Sequence, residues 1–398
     1  MEITPIYQKP ILYSNSPVTT ISYWDEAVSA FDEKDFEASL TGTLNYINQD
    51  ILNGRPITNQ MEEIVYPHGS AEVRFSVRDG IFRIQSSFLR VPEQNKVPLL
   101  RKVAEINFAP LTLAQIVYSE SEGGILYFFY EMPIELAQPN KVYDLIKEIC
   151  IFADDFDDEF IKKYKASFYH SPMILPLSVE KREKVREQIQ TYLQDASQYI
   201  QYYEAKRWDG YVLATIIQVL LSIVDNAYIN GVLKTSIEEK IWMLKEDKNI
   251  DFSRKISIGK DFLAKLSKMP ADEVKKDIFI AKKFISTKFR TTPKSAMEFL
   301  QTSTAGIEKD MEDNNFIGAF YQLKSAFLNL MYAYNLEPKI WNILTDSLFN
   351  ASETSWDNGT QVLKETFDLI ISGEVDNQID ASKNEFPKKK GFFAKLFS

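Results

Sequence analysis

The hydrophobic period of the chain changes twice along its length. From residue 22 apolar positions recur at helical spacing, with Trp24, Val28 and Phe31 on one face and Phe36, Leu40, Leu44 and Ile47 on another. The polar run Asp32, Glu33, Lys34, Asp35 makes the corner between two helices, and Gly54 and Pro56 end the pattern. From Glu62 the period falls to two, which predicts strands over 62–66, 71–77 and 81–89. Asp79 and Gly80 between the last two both tolerate positive φ, a hairpin signal. A helix is expected over 94–107, then strands over 114–119 and 125–132 joined by a turn containing Gly123 and Gly124. A long helix starts after Pro139, carries Val142, Leu145, Ile146, Ile149 and Phe152, and runs to Tyr164. Antiparallel strands with helices gathered on one face make an α+β domain.

Beyond a linker at 170–180 no strand pattern is convincing. Helices are expected near 179–207, 208–231, 236–246, 261–266, 271–287, 293–312, 316–334, 338–350 and 359–371. Pro293 and Pro338 suit a first helical turn, and Gly231 suits a stop. The most apolar run, 212–224, is shorter than the roughly 20 residues a bilayer requires and ends at Asp225, so it reads as a helix buried in protein. The expected organisation is an extended lead-in over 1–21, an α+β domain over 22–168, an all-α helical bundle over 178–372, and a linker and tail over 373–398.

Composition narrows the function. With 45% hydrophobic residues and 27 Phe and 20 Tyr among 398, the chain can build substantial cores. Its net charge of −10 repels phosphate, so nucleic acid is an unfavoured partner. The single cysteine, Cys150, allows no intramolecular disulfide and no multi-cysteine zinc site, and reads as a small core residue. Residues 1–13 lack the basic start and apolar run of a signal peptide, and a cytoplasmic location is expected.

Several features in sequence order carry a resemblance over the first 165 or so residues, about two-fifths of the chain. They are the leading helix pair, the His68-Gly69-Ser70 turn, the hairpin from Arg78 to Pro92, the Leu99 to Phe108 helix, a glycine-turned strand pair and the closing helix. In that order they resemble the YbjN-like bacterial proteins, which share the fold of type III secretion chaperones. The resemblance implies a small sheet that binds extended or helical client segments without catalysis, often as a homodimer. Chaperones of that fold are short and free-standing, whereas this chain adds more than 200 residues.

Candidate chemistry is sparse. His68 and His170 have no His, Cys or carboxylate at ligand spacing beside them, so no metal is expected and a plain surface role suffices for both. Neither a Gly-x-Ser-x-Gly elbow nor a glycine-rich phosphate loop occurs, so no catalytic residue and no cofactor is assigned. The acidic run Asp154, Asp155, Asp157, Asp158 and Glu159 reads as a solvated helix face, or as a dock for a basic partner segment. At the C-terminus, Lys388, Lys389, Lys390 and Lys395 surround Phe392, Phe393, Leu396 and Phe397. That plug suits folding back on the helical domain, contact with an anionic membrane surface, or docking on a protein partner. The reading that results is a non-enzymatic protein-binding chaperone, adaptor or scaffold linked to secretion or signalling. Its alternatives are a regulatory sensor recruited to a membrane by the tail, and an enzyme with an inter-domain carboxylate and tyrosine site lacking any linear motif.

Overall fold

The computed structural model describes residues 3–12, 17, 19–69, 71–171 and 174–375, excluding the side chains of Asp154, Asp155 and Asp158. The N-terminal part is an antiparallel sheet with helices, and the C-terminal part is largely helical. Helices α1 (Ile21–Asp32), α2 (Phe36–Ile47) and α3 (Gln49–Leu52) lead into strands β1 (Gln60–His68), β2 (Ala71–Arg78) and β3 (Ile81–Arg90). Then come α4 (Lys96–Phe108), β4 (Gln115–Ser119), β5 (Ile125–Pro133), α5 (Pro139–Tyr164) and the two-residue strand β6 (Ser167–Phe168). The sheet order is β1-β2-β3-β5-β4, with β6 pairing the end of β3. All of its pairings are antiparallel.

The period of two does what the sequence expects of it. In β2, Ala71, Val73, Phe75 and Val77 are buried while Glu72, Arg74 and Ser76 between them keep exposure. The buried face lies under α5, which packs on β2 and β3 and is itself flanked by α1, α2 and α4. Asp79 at φ 50 and Gly80 at φ 74 form the expected hairpin turn. Cys150 is buried in this core.

After β7 (Ile174–Leu175) the chain is helical through α6 (Val179–Ala205), α7 (Asp209–Val224), α8 (Gly231–Lys245), α9 (Phe252–Ser267) and α10 (Ala271–Lys276). Helix α7 is the apolar run: Val212, Ile216, Leu220, Leu221 and Ile223 are at most 1% exposed, because α6, α8 and α9 all pack on it. Among the described residues no helix is long and apolar enough to cross a membrane.

Three elements differ from the sequence expectation. Gly231 does not stop a helix but opens α8 at φ +58, and Asp277 fills the space its side chain would take. The segment expected as a helix over 271–287 is helical only to Lys276. It continues as β8 (Ile280–Ala281), which pairs with β7, and as β9 (Phe289–Arg290), which pairs in parallel with β10 (Tyr334–Asn335). Its apolar residues explain the change, since Phe284 and Ile285 leave helical register to join the sheet core, at 0% and 2% exposure. The expected helix over 293–312 is broken into α11 (Pro293–Gln301) and α12 (Thr304–Glu312).

The last helices are α13 (Phe316–Ala333), α14 (Pro338–Asn350) and α15 (Trp356–Ile371). By contacts the chain divides into two compact units. The larger comprises Pro10–Arg290 and Tyr332–Glu337, so the boundaries read from sequence at 168 and 178 fall inside it. The smaller comprises Met1–Lys9, Thr291–Met331 and Pro338–Ser398. Within the smaller unit part of the lead-in is docked: Glu353 N–H donates to Pro5 O at 2.7 Å, Lys324 Nζ donates to Ile6 O at 3.0 Å, and Tyr7 is buried.

Candidate functional site

Of the residues singled out from sequence, the described ones sit on different elements: His68 on β1, Asp157 and Glu159 on α5, and His170 after β6. Asp157 is 7% exposed, so it turns inward from any solvated face of α5. Glu159 lies 3.6 Å from Lys163 one turn on, and Asp154, Asp155 and Asp158 share the helix. The tail residues Lys388, Lys389, Lys390, Phe392, Phe393, Lys395, Leu396 and Phe397 lie outside the described residues. His170 is only partly exposed, with Nε2 3.6 Å from Glu72. His68 departs from the expected surface place, being wholly buried with Nδ1 accepting the Phe284 N–H at 3.0 Å. Burial, with Lys283 adding repulsion, lowers its pKa to about 3, so the imidazole is neutral.

One surface emerges from the sheet. On the face away from α5 the register sets Arg74 opposite Gln85, Gln85 opposite Phe129, and Phe129 opposite Gln115. Arg83 donates to Glu131 at 2.7 Å and lies 5.9 Å from the Phe129 ring, whose neighbour Tyr127 meets it edge-on. Val65, opposite Arg74, is 44% exposed. Both sheet edges are blunted. On β4, Ile116 exchanges two hydrogen bonds with the Asn107 side chain, at 2.7 and 2.9 Å. On β1, a register irregularity between Met61 and Ile64 falls at the exposed Glu62 and Glu63, and Pro67 withholds a donor. An approaching chain therefore meets the face more readily than an edge.

A second feature lies in the same unit, where the strand-like strap 277–290 crosses the ends of α7 and α8. The strap is tied along its length. Asn230 N–H donates to Asp277 O at 2.8 Å, Phe279 N–H to Tyr228 O at 2.9 Å, and Gly69 N–H to Lys282 O at 2.9 Å. Lys147 Nζ donates to Lys288 O at 2.8 Å, and the Arg290 guanidinium stacks 4.2 Å from Trp24 and 4.7 Å from Tyr143. Between strap and helices is a cavity of about 300 Å³. Leu221, Val224 and Ile229 supply its apolar wall, and Lys234, Lys283 and Lys288 its cations. Asp225, Glu238, Tyr332 and Thr287 are among its other polar lining residues.

The electrostatics of that lining follow from burial. Desolvation holds the Lys288 ammonium below the usual lysine value, opposed by Asp225 and reinforced by Lys234. Desolvation and then Glu238 push the Tyr332 phenol up to about 12, so it stays a donor at neutral pH. Lys234 and Glu238, one turn apart on α8, are 3.8 Å apart. The lining is thus rich in donors and can receive an acceptor-bearing ligand. Sequence reasoning missed this cluster because its members come from four separated stretches with no shared spacing. The only linear trace is Lys282 and Lys283, on a segment expected to be helical, with Lys288 just beyond its expected end. Among the described residues no three His, Cys, Asp or Glu side chains are grouped to hold a metal ion. A scan against protein-family models finds no match, and a search of curated proteins finds no relative, so the residues themselves carry the functional argument.

Proposed function

We propose that the chain is a non-enzymatic protein-binding module, a chaperone, adaptor or scaffold, whose sheet receives a segment of a client protein on its open face. The observation that carries this reading is the Tyr127 and Phe129 pair beside Arg83, on a sheet whose opposite face is covered and whose two edges are blunted. Aromatic and arginine side chains dominate the energetics of protein interfaces, because they combine apolar area with directed polar contacts. The client chemistry that fits is a segment with apolar side chains for the two rings and a carboxylate able to compete with Glu131 for Arg83. The resemblance to YbjN-like and secretion-chaperone folds supports the same reading, as does the lack of catalytic motifs in the sequence.

The test is a crosslinking capture from the native cell, comparing the full chain with the double variant Tyr127→Ala, Phe129→Ala. A client identified by mass spectrometry with the full chain should fall about tenfold or more with the variant, since each ring truncated at an interface centre costs about 1–2 kcal/mol. Equal capture by a variant of unchanged melting temperature would remove the sheet face from the reading.

A further inference from the structure

We propose that the cavity between the 277–290 strap and helices α7 and α8 is a binding site for a small organic oxyanion, a carboxylate or a phosphate ester. The site stands apart from the sheet face and does not depend on the client reading.

Three observations converge on it. First, about 300 Å³ is enough for a small metabolite and lies at the lower end of ligand-pocket volumes. Second, the lining holds three lysines, Lys234, Lys283 and Lys288, against the carboxylates Asp225 and Glu238, with burial lowering the Lys288 pKa. The formal count is one positive charge, three lysines minus two carboxylates, on a chain whose formal net charge is −10. A concave cationic lining on an acidic protein concentrates field where an anion can enter. Third, the uncharged lining adds hydroxyl donors from Tyr332 and Thr287, with the phenol held protonated, while Leu221, Val224 and Ile229 offer a wall for a short carbon skeleton. The N-terminus of α8 beside the cavity is already occupied, because Asp277 Oδ2 accepts the Leu233 N–H at 2.8 Å. Recognition therefore falls to side chains and not to the helix dipole.

The proposal predicts opposite signs for two kinds of substitution, which a merely structural role would not produce. Lys283→Gln and Lys288→Gln each remove a cation and should weaken an anion by about tenfold. Glu238→Gln removes a competing carboxylate without changing shape and should strengthen it several-fold.

Isothermal titration of the full chain with inorganic phosphate and, separately, with succinate is the direct experiment, and the two probes separate phosphate from carboxylate preference. The expected result is saturable binding of at least one probe at or below about 10 mM, weakened by added sodium chloride, with the two lysine variants and Glu238→Gln shifting it in opposite directions. Melting curves of each variant guard against loss of fold, and Glu238→Gln remains decisive if a lysine variant unfolds. Absence of heat with both probes, or weaker binding by Glu238→Gln, would overturn the proposal. So would affinity indifferent to Lys283→Gln in a protein of unchanged melting temperature.

Discussion

His68 shows at the scale of one residue how much a position can change meaning on folding. Its ring accepts the Phe284 N–H from 216 positions along the chain, and its Nε2 has no hydrogen-bond partner among the described residues. The folded-state pKa is depressed to about 3, whereas an unfolded imidazole titrates near 6.5. Between those values the unfolded chain binds a proton that the folded chain refuses. Stability is therefore full above about pH 6.5 and falls as the pH drops toward 3. From neutral pH to pH 5 the loss from this residue is expected to be about 2 kcal/mol. Urea unfolding of the full chain at stepped pH measures it, with His68→Leu as the control. That variant should be less stable at neutral pH by about 1–3 kcal/mol, because the Phe284 N–H loses its acceptor. It should also show a flatter dependence between pH 7 and 5, and an unchanged slope would refute the assignment.

At the scale of elements, the strap decides the architecture around the cavity. Three short pairings hold it in extended form: β7 with β8, β9 with β10, and the single bridge from Ile229 to Ile278. Each is too short to persist alone, so side-chain anchors must complete them. Gly231 is the tightest point. Its φ of +58 is costly for any residue with a Cβ, and a Cβ there would come within 2.6 Å of the Asp277 carboxylate that caps α8. Gly231→Ala is expected to cost about 1–3 kcal/mol, read as a shifted midpoint in denaturant. Because the displaced Asp277 starts the strap, the same variant should alter ligand heat at the cavity. A midpoint equal to that of the unsubstituted chain would show the carboxylate can move freely.

At the scale of the whole molecule, the sheet core is not closed by the residues that build the sheet. Phe284 and Ile285 belong to the same buried cluster as Phe75 and Ile84, and the Phe284 ring packs edge-on against Tyr66 and Phe75. A fragment limited to 22–168 would leave those rings facing water. Removing one buried phenylalanine from a core typically costs about 3–5 kcal/mol. The fragment is thus expected to melt well below the full chain and to bind a hydrophobic dye such as ANS. Melting at the same temperature without dye binding would show that the sheet closes by itself. Phe284→Ala in the full chain should reproduce the loss without truncation.

Local pattern was sufficient for much of this. The alternation in β2 and the first half of β3, the Asp79-Gly80 turn and the apolar stripe of α5 are readable because each depends only on near neighbours and on which face is buried. The apolar run of α7 declared its burial by the same logic. What tertiary structure alone decided is the fate of residues 277–290 and the site they enclose. Helical propensity there is outweighed by burying Phe284 and Ile285 in a distant core and by main-chain pairing with Tyr228, Asn230 and Gly69. Such contacts join positions more than 40 residues apart, and no periodicity encodes them. For the same reason Lys234, Lys283, Lys288 and Tyr332 meet in space without any spacing in the sequence that announces it.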